Sequence, residues 1–192
     1  MTDIRRRGWR PPPIPAGSLL RDIAARFRPA YEIANATPLT GIRLSDPAGR
    51  RPDVWIRHRY ERRLFLRANY LELSSTIPGD GPPVDGELTV AFHGPLGRQR
   101  PRLTWKTPVP GGEEWLERHR QPVLEAAGGI EAVQTMTAMW SSSKRSWRLR
   151  IKTMSGSMMS GFMAALPITV PFEQREATAF VDLVDALSST AD

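Results

Sequence analysis

The sequence predicts an α+β fold, a single domain whose largely antiparallel sheet is covered on one face by an N-terminal, a middle and a C-terminal helix. Three observations lead there. Segments with helical spacing of apolar residues stand at the start, middle and end of the chain, and most of the rest is extended and punctuated by turn-forming residues. The 192 residues suit one core, because dividing them would leave each half short of buried area. A 40% hydrophobic fraction with six tryptophans supplies enough apolar surface to bury.

Residues 1–17 read as a basic, proline-rich arm, and residues 18–192 as the domain. The arm carries Arg5, Arg6, Arg7 and Arg10, then Pro11, Pro12, Pro13 and Pro15, a composition that favours extended, mobile chain, with Trp9 its one large apolar residue. No apolar run follows these arginines, so a secretory signal is not expected. Ser18 can cap a helix to about Arg28, where Leu19, Ile23 and Phe27 form a stripe and Pro29 stops it.

From there to about Thr107 the pattern predicts a five-strand meander: LTGIRL, DVWIRHRY, RRLFLRANYLEL, GELTVAFHG and RPRLTWKT, with Glu61-Arg62-Arg63 as a hairpin connection. Glu113 to Ala127 reads as a helix that Pro122 should kink or divide near Gln121. Strands are expected from Ala132 to Trp140, from Trp147 to Met154 and from Phe162 to Val170. A final helix spans Glu173 to about Ser188, with Ala177, Phe180, Val181, Val184 and Leu187 on one face.

Net charge is +7, and 24 of the 27 basic residues are arginine. Arginine's planar guanidinium matches phosphate geometry, so the excess suits a surface for nucleic acid or phosphorylated ligands, although a G+C-rich genome would produce the same bias. Cysteine is absent, which excludes disulfides, thiolate metal ligands and thiol catalysis and fits a cytoplasmic protein. The uncharged stretch from Thr153 to Phe172 has nearly the length of a membrane span, but two prolines and five serines or threonines argue against a transmembrane helix.

Alternation along the strands carries the functional expectation. Arg148, Arg150 and Lys152 alternate with Trp147, Leu149 and Ile151; Trp55, Arg57 and Arg59 with Val54, Ile56 and His58; Arg100, Arg102 and Lys106 with Leu103 and Trp105. Side chains alternate across a strand, so each basic set shares one face. The expected function is therefore a non-enzymatic binding or interaction domain whose arginine-rich face, Arg57, Arg59, Arg102, Arg148 and Arg150, meets an anionic partner, either nucleic acid or an acidic protein. The competing reading is an ordinary solvated sheet face.

Six of the seven methionines fall between Met136 and Met163, and Met158, Met159, Phe162 and Met163 lie among small residues. They support an alternative, a peripheral membrane or lipid-binding protein, in which Lys144, Arg145 and Arg148 would attract anionic headgroups. The bland counterpart is core filling around an irregular turn.

An enzyme using a pocket roofed by a loop from Ser155 to Phe162 is a third reading, and its signatures are scarce. Ser141 and Lys144 have acyl-enzyme spacing but fall in an expected turn, where no helix would bring them together. His58, His93 and His119 lack ligand spacing, so no metal is expected, and His58 reads as a core residue. Glu113, Glu114 and Glu117 suit a helix N-terminus. No cofactor motif is present: Gly156 and Gly161 have neither the spacing nor the lysine of a phosphate loop.

Overall fold

Alternating apolar residues and three amphipathic helices build one antiparallel sheet with the helices on a single face. A computed structural model describes residues 16–37, 41–63, 66–93, 100–106, 108–161 and 168–188; residues 1–15 of the expected arm, with Trp9, lie outside them, and its last two, Ala16 and Gly17, belong to the first helix. The elements are α1 (Ala16–Ala25), β1 (Glu32–Thr37), β2 (Gly41–Ser45), β3 (Val54–Arg63), β4 (Leu66–Pro78), β5 (Gly86–His93), β6 (Arg100–Trp105), α2 (Gly112–Gly128), β7 (Val133–Ser141), β8 (Ser146–Gly161), β9 (Ile168–Thr169) and α3 (Gln174–Ser188). The strand order is β1-β2-β3-β4-β8-β7-β5-β6, with β9 pairing β8.

Val54, Ile56, Leu73, Ile77, Trp147, Leu149, Ile151, Leu88 and Leu103 point to the helical side, where they are buried with Ile23, Phe27, Val123, Phe180 and Val184 in one continuous cluster. All five α3 residues named from periodicity are buried there. At about 25 cal/mol per Å² of apolar area, this cluster is the main favourable term of folding.

Several boundaries differ from the sequence expectation, each for a local reason. β1, of sequence EIANAT, was not foreseen, because its residues lack apolar alternation and Glu32 to Ala36 are all exposed at the sheet edge. Glu61 to Arg63 belong to β3, not to a turn, since Arg63 pairs with Leu66 and the connection is residues 64–65. α1 opens at Ala16 and ends at Ala25, so Ser18 lies inside its first turn. Pro122 does not divide α2. It and Arg118, whose carbonyl loses its usual donor, are exposed, so the cost of the missing bond falls where water can repay it.

The largest departure is β8, which runs straight through the segment expected to be a loop at Ser155. Asn69 opposes Met158 and Leu71 opposes Thr153, so Tyr70 alone faces four residues, Met154 to Ser157, in an extended bulge. Serine hydroxyls replace the lost ladder bonds. Ser157 Oγ accepts from the Leu71 N–H at 3.0 Å and donates to the Thr153 carbonyl at 2.8 Å. Gly156 sits at φ +72°, and a Cβ there would meet Leu71 and Ile23 side-chain carbons at 2.7 and 2.9 Å. Gly156→Ala is expected to lose about 2–4 kcal/mol of stability from combined backbone strain and overpacking, measured by urea denaturation.

The link from β4 to β5 crosses the ends of β8 and β7 over a cluster of four tryptophans. Ring centroids are 4.7 Å apart for Trp115 and Trp147, 5.1 Å for Trp140 and Trp147, and 6.3 Å for Trp105 and Trp147. The indole N–H groups of Trp115 and Trp147 both donate to the Asp80 carbonyl, and that of Trp140 to the Pro82 carbonyl. Gly81 allows this approach, since a Cβ there would lie 2.5 Å from the Trp140 ring.

Candidate anion-binding face

The face turned away from the helices is built by the residues that alternate with the core set. Cross-strand register places Arg43, Trp55, Ser74, Arg150, Thr137, Thr89 and Thr104 in one row across seven strands. One pleat to one side, Arg57, Glu72, Lys152 and Thr135 form a second row; one pleat to the other, Thr76, Arg148 and Met139 form a third. Trp55 is 40% exposed between Arg43 and Ser74, so an indole face is open beside guanidinium groups.

Three of the five arginines singled out from the sequence converge on one acid. Glu72 is 5% exposed. Its Oε1 accepts from Arg57 Nε at 2.6 Å and also contacts Arg57 Nη2, its Oε2 accepts from Arg59 Nε at 3.3 Å, and Arg150 Nε lies 3.9 Å from Oε1. One buried carboxylate thus faces three cations and leaves the group with a net positive charge. Elsewhere on the face Lys152 is held by Glu61 and stacks over the Tyr70 ring at 4.1 Å, Arg43 pairs with Asp53, and Lys106 with Glu87. Acids interleave with this face more than the alternation of the basic strands suggests.

Arg148 and Arg102 are exposed and have no ion pair among the described residues. Arg148 lies two residues along β8 from Arg150 and so extends the cluster, whereas Arg102 stands on β6, three strands from β8. Between them is a groove of about 890 Å³ lined by Thr89, Thr104, Thr135, Thr137, Glu87, Lys106 and Lys152. Hydroxyls and two lysines can bind polar ligands there.

Sequence reasoning missed Glu72 because the segment RANYLEL was read only as a strand. Its own alternation, Tyr70, Glu72 and Ser74 against Leu71 and Leu73, places a lone acid among the arginines and was the available signal. The apolar candidates fare differently. Met158 is buried at 5% exposure within β8 and Met159 is half-buried, while Phe162 and Met163 lie outside the described residues. The enzyme pocket loses its roof, because Ser155 to Gly161 is strand and not loop. Ser141 ends β7 and Lys144 lies within the hairpin turn that follows, Ser142 to Arg145, where Arg145 pairs with Asp80.

Among the described residues no group of three or more acids and histidines could hold a metal ion, and no helix is long and apolar enough to cross a membrane. His119 is buried and stacks on Trp115 at 4.2 Å, donating from Nδ1 to the Trp115 carbonyl.

His58 points to the helical side, donates from Nε2 to the Gly156 carbonyl at 2.9 Å and leaves Nδ1 buried without a partner among the described residues. Burial pushes its pKa below the ordinary 6.5, outweighing the Gly156 carbonyl, which favours the charged form. A base whose folded pKa is depressed contributes stability that is present above the unfolded value and lost as pH falls through the folded one. The expected result is a loss of stability in the wild type below about pH 6.5 that His58→Phe reduces, read as the difference between the two denaturation midpoints across pH 7.5 to 5.

No protein-family model, curated protein or solved structure matches the chain.

Proposed function

We propose that this protein is a binding domain for an anionic macromolecule, with single-stranded nucleic acid the partner its open sheet face fits best. The observation that carries the reading is that Arg57, Arg59, Arg148 and Arg150 share with an exposed Trp55 the sheet face that no described helix covers. Guanidinium groups neutralise phosphates, and an indole among them accepts a base by stacking, which tolerates any sequence. An acidic protein would use the same charges but has no need of the indole.

Salt dependence follows from the charge. For single strands log K falls with log salt by about 0.7 per phosphate neutralised; with Arg57 paired to Glu72, engagement of two phosphates by Arg59, Arg148 and Arg150 gives a slope near about −1.4. The test is purification from cells at low and at high salt, followed by the ratio of absorbance at 260 and 280 nm and mass spectrometry of what remains bound. Nucleic acid that travels with the protein and leaves at high salt is the expected result. A clean protein at low salt, or one carrying only an acidic protein, counts against the nucleic-acid reading.

A further inference from the structure

The basic cluster contains an element that a plain electrostatic surface would not need. Placing a carboxylate among arginines lowers the attraction for an anion, yet Glu72 is buried and faces three of them. We propose that Glu72 is a positioning residue, and that Arg59 on β3 and Arg150 on β8, drawn towards it from the two flanking strands, form a subsite for one phosphodiester group of a single strand.

The geometry of the contacts supports this. Arg59 donates from Nε to Glu72 at 3.3 Å and Arg150 turns its Nε towards the same carboxylate at 3.9 Å, within ion-pair reach; both side chains are about half exposed, at 51% and 53%. Their Nη groups are the donors that match phosphate oxygens in a fork, and a fork held in place loses less conformational freedom on binding. Arg57, bonded through both Nε and Nη2, neutralises the carboxylate itself. The two other arginines then keep their charge for a ligand. Arg59 on β3 stands opposite Tyr70 and Arg150 on β8 opposite Ser74, so their backbone positions lie roughly 16 Å apart at the usual strand spacing and rise; both long side chains span that gap by reaching towards Glu72, and this convergence is what brings the two guanidinium groups to one phosphate. Trp55, in the same row as Arg150, is placed to stack on the adjoining base.

This inference rests on the nucleic-acid reading above, and its experiment separates the two. The probe is a fluorescein-labelled oligothymidylate of about twelve nucleotides, titrated by anisotropy over a series of salt concentrations against wild type, Glu72→Gln and Arg59→Lys. If charge alone governs, Glu72→Gln binds more tightly and its salt slope steepens, while Arg59→Lys is unchanged. Positioning by Glu72 predicts the reverse: each variant binds about tenfold more weakly, Arg59→Lys despite its conserved charge, because a charge-assisted fork is lost or disordered.

Wild type that fails to bind the probe overturns the nucleic-acid reading and the subsite with it. Wild type that binds while Glu72→Gln gains affinity overturns the subsite alone. Should Glu72→Gln lose its cooperative thermal transition, Arg59→Lys, at a half-exposed site, decides: unchanged affinity rejects the fork and a tenfold loss supports it.

Discussion

Trp147→Ala is expected to remove most of the stability of the domain. The side chain is fully buried, its ring packs against Trp105, Trp115 and Trp140, and its N–H donates to the Asp80 carbonyl at 3.0 Å. Truncating a buried tryptophan costs about 3–5 kcal/mol, and the lost indole N–H removes one of the two donors to the Asp80 carbonyl. Domains of this kind hold about 5–15 kcal/mol in total, so the variant should lose much of its midpoint in urea or fail to fold. The mechanism is more than a cavity. Trp115, Trp140 and Trp147 together anchor the link from β4 to β5, so its loss loosens the crossing that lets β8 and β7 insert between those two strands. A midpoint within a small margin of wild type would show that the tryptophan cluster is not the keystone of the sheet.

Arg148→Glu is expected to abolish most binding to an anionic strand without changing stability. Arg148 is exposed and has no ion pair among the described residues, so its reversal breaks no described ion pair. Surface changes of this sort stay within about 0.5 kcal/mol. Removing one phosphate contact flattens the salt slope by about 0.7, and the added repulsion should bring the total loss at low salt to tenfold or more. Arg150→Glu should weaken binding as well, but it also sets a second carboxylate beside Glu72 at a site where the wild-type Nε lies 3.9 Å away, so a fall in melting temperature should accompany it. The contrast between the two variants separates charge from structure. Equal losses of stability in both would contradict the assignment of Glu72 as a hub for Arg150 but not for Arg148.

The legible parts of the molecule were those in which one physical signal dominates. α3 and the inward and outward faces of β3 and β8 were fixed by clean periodicity, because a buried face tolerates few polar residues. The same alternation places Arg57, Arg59, Arg102, Arg148 and Arg150 on one face, which the strand pairing puts on the side away from the described helices. What sequence did not reveal depends on partners distant in the chain. β1 is strand because β2 offers it a ladder, and the bulge of β8 holds because Ser157 reaches Leu71 and Gly156 adopts a left-handed turn against Ile23. Small polar residues there resemble a loop when only neighbours are read. Glu72 was overlooked for a related reason: its role appears only when β3 and β8 are placed on either side of β4. Methionine content was equally ambiguous, and Met158 turned out to fill the sheet interior.

The measurement that tests the central claim most directly is anisotropy of a labelled single-stranded oligonucleotide with wild type and Arg148→Glu across a range of potassium chloride concentrations. The account predicts binding by wild type that weakens with salt at a slope of about −1.4, and a shallower, at least tenfold weaker curve for the variant. Identical curves for the two proteins, or no binding by wild type at low salt, would contradict the assignment of the open sheet face as a nucleic-acid surface.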